Sequence, residues 1–120
     1  MIIRHVPTVV PAEGGILARV LDATYAVWNG GLSRQAYGTL DAAQMKTAWG
    51  RGHRRRFALV DGADVLASAA QYDLAAILDQ RPVRVCGIGS IFSEPAHRSS
   101  GHAEDLVDRL LDQVSPQSRR

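Results

Sequence analysis

The residues best suited to chemistry form one run, Ser93-Glu94-Pro95-Ala96-His97-Arg98-Ser99-Ser100-Gly101-His102-Ala103. An apolar stretch precedes it and a helical pattern follows, so the run is a polar, glycine-bearing connection opening onto a helix N-terminus. The first turn of a helix leaves backbone N–H groups unpaired, and the helix dipole adds partial positive charge. Together these make an anion site that suits phosphate. Gly101 removes the Cβ that would hold a phosphate off the backbone, and Ser99, Ser100 and Ala103 are small enough to keep the approach open. Other reactive side chains carry less. Cys86 is the only cysteine, has no local histidine partner and reads as core packing on a strand. The histidines at 5, 53, 97 and 102 show no metal-ligand spacing, so no metal is expected. Glu94 and His97 lie near enough to the loop to deprotonate an amine, although both also suit a solvated surface.

The elements that must position this loop follow from periodicity. Ile2 to Val6 has the content of a short strand closed by Pro7 and Pro11. Ile16, Leu17, Val20, Leu21, Thr24 and Trp28 fall at helical spacing, predicting a helix over Glu13 to Trp28 that ends at Asn29-Gly30-Gly31. Ser33 is an N-cap for a second helix, with an interruption expected near Gly38, a restart at Asp41 with Gln44 in the capping-box position, and a stop at Gly50. Phe57 to Val60 reads as a strand, Asp61-Gly62 as a hairpin turn, and Val65 to at least Tyr72 as the return strand. Asp73 to Asp79 is ambiguous between helix and strand, and Asp79 to Pro82 makes the next turn. Val83 to Phe92 is apolar on both faces, which predicts a central strand, with Gly87 and Gly89 marking a bulge or the close approach of a ligand. Ala103, Leu106, Val107, Leu110, Leu111 and Val114 then form the apolar stripe of a last helix, stopped by Ser115-Pro116.

With its surroundings, the loop resembles a known family. Arg98-Ser99-Ser100-Gly101-His102-Ala103 matches the R/Q-x-x-G-x-G/A signature of GNAT N-acetyltransferases, with Pro95 three residues ahead of the arginine. The close resemblance covers residues 83–114, and a looser one in element order reaches back to residue 1. It implies an α/β (α+β) domain with a mixed, mostly antiparallel sheet flanked by helices, similar to the acyl-CoA N-acyltransferase fold. It further implies that acetyl-CoA lies against Ile91, Phe92, Ser93, Arg98, Ser99, Ser100, Gly101, His102 and Ala103, as co-substrate for acetylation of an amine acceptor. Tyr25, Trp28 and Tyr37 border the connection where relatives build acceptor pockets. The resemblance assigns no catalytic base or acid. Positions 99 and 100, commonly glycine and a basic residue in relatives, are both serine here, which removes one possible charge-assisted phosphate contact of about 1.5–3 kcal/mol. Relatives also continue beyond the pyrophosphate helix, so an incomplete domain with weak or absent turnover is expected.

The bulk properties fit this reading. The 120 residues, 46% hydrophobic and 22% charged, suit a single domain over 1–114 with a frayed tail at 115–120. No apolar run is long enough to predict a membrane helix, and the N-terminal residues lack a signal-peptide pattern, so a cytoplasmic protein is expected. The net charge is only +2, yet residues 1–60 hold 8 Lys/Arg against 3 Asp/Glu. Arg51-Gly52-His53-Arg54-Arg55-Arg56 carries much of that excess and is expected to be a solvated helix-to-strand connection rather than a nucleic-acid patch. With no later strand to cover Val83–Phe92, a homodimer or higher oligomer is expected through that edge. The alternative to an enzyme is an inactive interaction or regulatory module assembled the same way.

Overall fold

The computed structural model describes residues 6–95 and 100–118. Its order is β1 (Thr8–Pro11), α1 (Gly14–Trp28), α2 (Arg34–Lys46), α3 (Ala48–His53), β2 (Arg54–Asp61), β3 (Asp64–Leu78), β4 (Arg81–Ser93) and α4 (His102–Ser118). The strands form one sheet in the order β1-β2-β3-β4, and every pairing is antiparallel.

The sheet has a core on each face, as alternation along β2 requires. Leu59, with Leu66, Ala67 and Ala69 of β3, packs against Leu106 and Leu110 of α4. On the other face Ala58 and Val60 meet Val20 of α1 and Ala12. The α4 stripe is therefore real at its centre, although Leu111 stays largely exposed. Small residues at Ala67, Ala69 and Ala70, all fully buried, let the helices approach closely.

Local chemistry explains most boundaries. Gly30 and Gly31 take φ of +59° and +87° after α1, and the Ser33 hydroxyl accepts the Ala36 N–H at 3.1 Å to start α2. Gly62 takes φ +60° between paired Asp61 and Asp64. The β3–β4 turn places Asp79 and Gln80 both in the left-handed region, as a two-residue type I′ connection requires. That short turn settles Asp73–Leu78 as strand, because the hairpin can then pair Asp73 with Cys86 and onward to Leu78 with Arg81.

Five expectations are corrected. The first strand is Thr8–Pro11, not Ile2–Val6: Val6 lies outside it, residues 2–5 are outside the described set, and Pro11 is tolerated because β1 is an edge strand. Helix α2 runs through Gly38 and Asp41 without interruption, so Asp41-Gln44 is no capping box. A Cβ at Gly38 would lie 2.9 Å from Arg34 Nη1 and 4.0 Å from Leu21 Cδ1, so the glycine leaves room for Arg34 and the packing on α1. The break comes instead at Thr47, whose hydroxyl donates to Gln44 O and accepts from Gly50 N, both at 2.9 Å. Gly50 lies inside α3, and the backbone of α4 continues past Ser115-Pro116 to Ser118. Finally, β4 is not a central strand: among the described residues it is bonded only to β3, with the open edge that the lack of a later strand predicts.

Candidate functional site

The bulge lies one step further along β4 than the glycines suggested. Ala70 pairs with Gly89 and Ser68 with Phe92, so Ser90 and Ile91 together oppose Ala69. Ser90 absorbs the extra residue at φ +50°, a left-handed backbone that a serine adopts at some cost. The strand resumes at Phe92, which is buried with its ring 5.8 Å from that of Trp28 in an edge-to-face contact. Ser93 pairs with Ala67, and Glu94 N–H donates to Leu66 O at 3.0 Å, which pins the chain as it leaves the sheet.

The loop then reaches α4. Arg98 and Ser99, with Ala96 and His97, lie outside the described residues. Ser100 and Gly101 are exposed, and Gly101 takes φ +76° with nothing within 4 Å of where a Cβ would stand. His102 opens the helix, Ala103 packs on the core beside Leu106, and Asp105 N–H closes the first turn on Gly101 O at 2.9 Å. Glu104 and Asp105 add two carboxylates to that turn, complementing the dipole. Asp105 is occupied by Arg109 at 3.0 Å, and Arg109 also donates to Pro7 O at 2.7 Å, tying α4 to the start of β1.

On the α1–α2 side of β4 lies an open cavity of about 780 Å³ that includes Ser90 and Ile91 of the bulge. Trp28, Leu32, Leu40 and Ile91 supply apolar walls. All four are among the exposed large hydrophobic residues of the chain, Trp28 at 40%. Tyr37 also lines it, its hydroxyl 2.8 Å from Thr24 Oγ1, whereas Tyr25 is absent from the lining and donates to Leu32 O at 2.6 Å.

The polar wall is where sequence reasoning failed. Arg54 and Arg56, expected in a solvated connection, begin β2 with side chains only 10% exposed. Both donate to Asp41 Oδ1, Arg56 Nη2 at 2.8 Å and Arg54 Nη2 at 3.4 Å, and all three residues line the cavity. The signal was present as an alternation, since Arg54 and Arg56 share a strand face while Arg55 points to solvent. Their partner, thirteen and fifteen residues away on another element, had no local mark.

Other candidates disperse. Glu94 lines a separate cavity of about 340 Å³ with Arg19, Asp64 and Val65, away from the Ser90–Ile91 bulge. Cys86 is half-buried on the β3–β4 hairpin rather than in the core, with Gln71 Nε2 at 3.6 Å from its sulfur. Among the described residues no group of three or more His, Cys, Asp or Glu is placed to hold a metal ion. Among them, too, no helix is long and apolar enough to cross a membrane.

No family model and no curated protein matches this sequence. Solved structures do. The chain superposes on a transcriptional regulator from Bacillus halodurans C-125 with a TM-score of 0.72 at 14% identity, covering 92% of this chain and 75% of that one. It superposes on an aminoglycoside 6'-N-acetyltransferase from Acinetobacter haemolyticus with a TM-score of 0.67 at 16% identity, over 92% and 73%. A GNAT family acetyltransferase from Brucella melitensis, solved with acetyl-CoA, gives 0.61 at 16%, over 96% and 72%. The chain thus has the acyl-CoA N-acyltransferase fold, spans about three quarters of these neighbours, and is similar to several acetyltransferases, one of them of the GNAT family.

Proposed function

We propose that this chain binds acetyl-CoA and transfers its acetyl group to an amine. The observation that carries the reading is one bulged strand with a cavity on its flank and a glycine loop at its end, the loop opening onto a helix N-terminus. In this reading the pyrophosphate rests on backbone N–H groups of residues 98–103 and the pantetheine arm follows Ile91, Phe92 and Ser93. The amine occupies the cavity beside Trp28 and Tyr37. Its neutral nitrogen attacks the thioester carbonyl, the C–N bond forms, and the C–S bond breaks with the electron pair leaving on sulfur. The proton lost by nitrogen ends on the thiolate or in water. Glu94 faces the other cavity and is not assigned the role of base.

Titration calorimetry with CoA tests the coenzyme site. The parent chain binds, and Gly101→Glu, which sets a carboxylate against the phosphates, does not. Because φ +76° strains any side chain, a thermal melt must show that the variant still folds. Failure of the folded parent to bind CoA removes the reading. Turnover is followed by thiol release from acetyl-CoA across a panel of amines.

A second reading rests on its own observation. Strand β4 is bonded on one side only among the described residues, and its hairpin with β3 exposes Leu74, Ile77, Leu78 and Val85. Such an edge suits pairing with another chain. The corresponding proposal is a homodimer or higher oligomer, with or without turnover, which light scattering at high concentration would reject by reporting a monomer.

A further inference from the structure

The wall formed by Asp41, Arg54 and Arg56 has more capacity than the protein uses. Two guanidiniums face one carboxylate, leaving a net positive charge beside the cavity. Among the described residues each guanidinium makes one hydrogen bond, both to the same oxygen of Asp41. Arg54 is nine-tenths buried, and its Nη1, itself closed off from solvent, has no partner among the described residues. A buried charged donor left unsatisfied is costly, and such groups normally find an acceptor. Gln44 brings a further polar side chain to the same wall. The opposite walls are apolar, built from Trp28, Leu32, Leu40 and Ile91, and the volume of about 780 Å³ falls in the range of small-molecule sites.

From this arrangement we infer that the cavity binds a monocarboxylate with an apolar body, and specifically an α-amino acid with an apolar side chain. Its carboxylate accepts from Arg54 and Arg56 in the forked geometry that guanidinium favours. Its side chain lies against Trp28 and Leu40. One carboxylate balances the surplus charge of the wall, whereas a phosphate dianion would overshoot it. The role of this amino acid as acetyl acceptor rests on the coenzyme reading above. There the α-nitrogen forms the amide bond, sulfur leaves with the C–S electron pair, the amine proton passes to sulfur or water, and the carboxylate is unchanged.

The decisive comparison alters the ligand, so it needs no variant to fold. Calorimetry on the full chain without coenzyme compares leucine and phenylalanine with leucinamide and phenylalaninamide. The acids bind, and each amide binds roughly tenfold or more weakly, the loss expected when a charge-assisted pair is removed. Arg54→Met abolishes the preference for acid over amide, and inorganic phosphate does not displace leucine. Amides that bind as well as the acids overturn the inference, as does displacement by phosphate at comparable concentration, and so does failure of both acids to bind. A CoA titration on the same sample separates the two readings. CoA binding without amino-acid binding overturns only the inference, whereas leucine binding without CoA binding upholds the carboxylate pocket and removes the transferase role.

Discussion

Two of the molecule's arginine–aspartate clusters stand in opposite settings. On the cavity wall, Asp41 of α2 joins Arg54 and Arg56 of β2, with each side chain about 10% exposed. On the β3–β4 hairpin, Asp73 pairs with Arg84 across the ladder, with side chains 42% and 74% exposed. The hairpin pair is the more complete in bonding: Arg84 reaches both carboxylate oxygens, Nε to Oδ1 at 3.0 Å and Nη2 to Oδ2. Geometry alone would rank it higher. Solvent reverses the ranking, because water screens the exposed pair and replaces any partner that is lost. In the buried cluster a lost partner leaves an uncompensated charge. The wall therefore fixes how α2 stands on β2, and with it the shape of the cavity, while the hairpin pair fixes little beyond its own side chains.

If that is right, Asp41→Ala is the most damaging of the changes considered. It leaves two buried guanidiniums facing each other, and a loss of about 3–5 kcal/mol is expected in urea unfolding. A loss no larger than that of an ordinary surface substitution would show that water reaches the cluster freely. Gly50→Ala attacks the same region without touching charge. A Cβ there would lie 2.2 Å from Gln44 O at the α2–α3 joint, so the backbone must shift, at about 1–3 kcal/mol. The same melt should show CoA binding preserved once the variant is folded, because the glycine loop lies on another element.

This contrast also marks what the sequence made legible. The Ser33 cap, the Asp61-Gly62 hairpin and the stripe from Ala103 to Leu110 are decided by neighbours within a few positions, and all three stand as expected. The fold class and the acyltransferase-like architecture came from the family resemblance that the glycine loop and its surroundings carry. What escaped was decided at a distance. Gly38 and Gly50 read as breaks because glycine is a poor helix former, yet each makes room for other groups at a packed helix. Arg54 and Arg56 read as solvated because nothing adjacent announces Asp41. The apolar faces of β4 suggested a strand covered on both sides, but Val85 and Ile91 are exposed, and Ile91 opens onto the cavity. Of the candidate site, the loop was visible and the charged wall was not.

The hairpin end offers the opposite test, one of surface rather than core. Ile77 is 79% exposed near the tip, so Ile77→Ser should alter stability by no more than about 0.5 kcal/mol. Its effect is expected on association: if the β4 edge carries an oligomer, the mass found by light scattering falls toward the monomer. A large destabilisation of an isolated monomer would mean that the tip is packed by something other than a second chain.

The smallest expected effect belongs to the exposed pair, and it is read most directly in the titration of its carboxyl. The hydrogen bond from Arg84 holds the Asp73 carboxyl below its ordinary value of 3.8, against a desolvation that raises it, with the charges of Arg84, His53 and Arg55 lowering it further. The same bond raises the Arg84 guanidinium above its ordinary value. A carboxyl depressed in the folded state binds its proton more weakly there than in the unfolded chain. Its contribution to stability is complete above the unfolded value of about 3.9 and is lost as pH falls through the lower, folded one. At neutral pH the pair's contribution is fully present but screened by solvent, so Arg84→Gln should lower the melting temperature only slightly. In a carbon-detected titration of the carboxyl, the same substitution should move the Asp73 midpoint upward toward 3.8. The acid limb of the stability curve should become shallower, the difference between parent and variant disappearing as pH falls through the folded Asp73 midpoint. An Asp73 midpoint that stays put when Arg84 is removed would mean that the guanidinium does not hold the carboxylate in solution. The comparison between the two clusters would then rest on burial alone, with no contribution from the bond geometry that made the hairpin pair look the stronger.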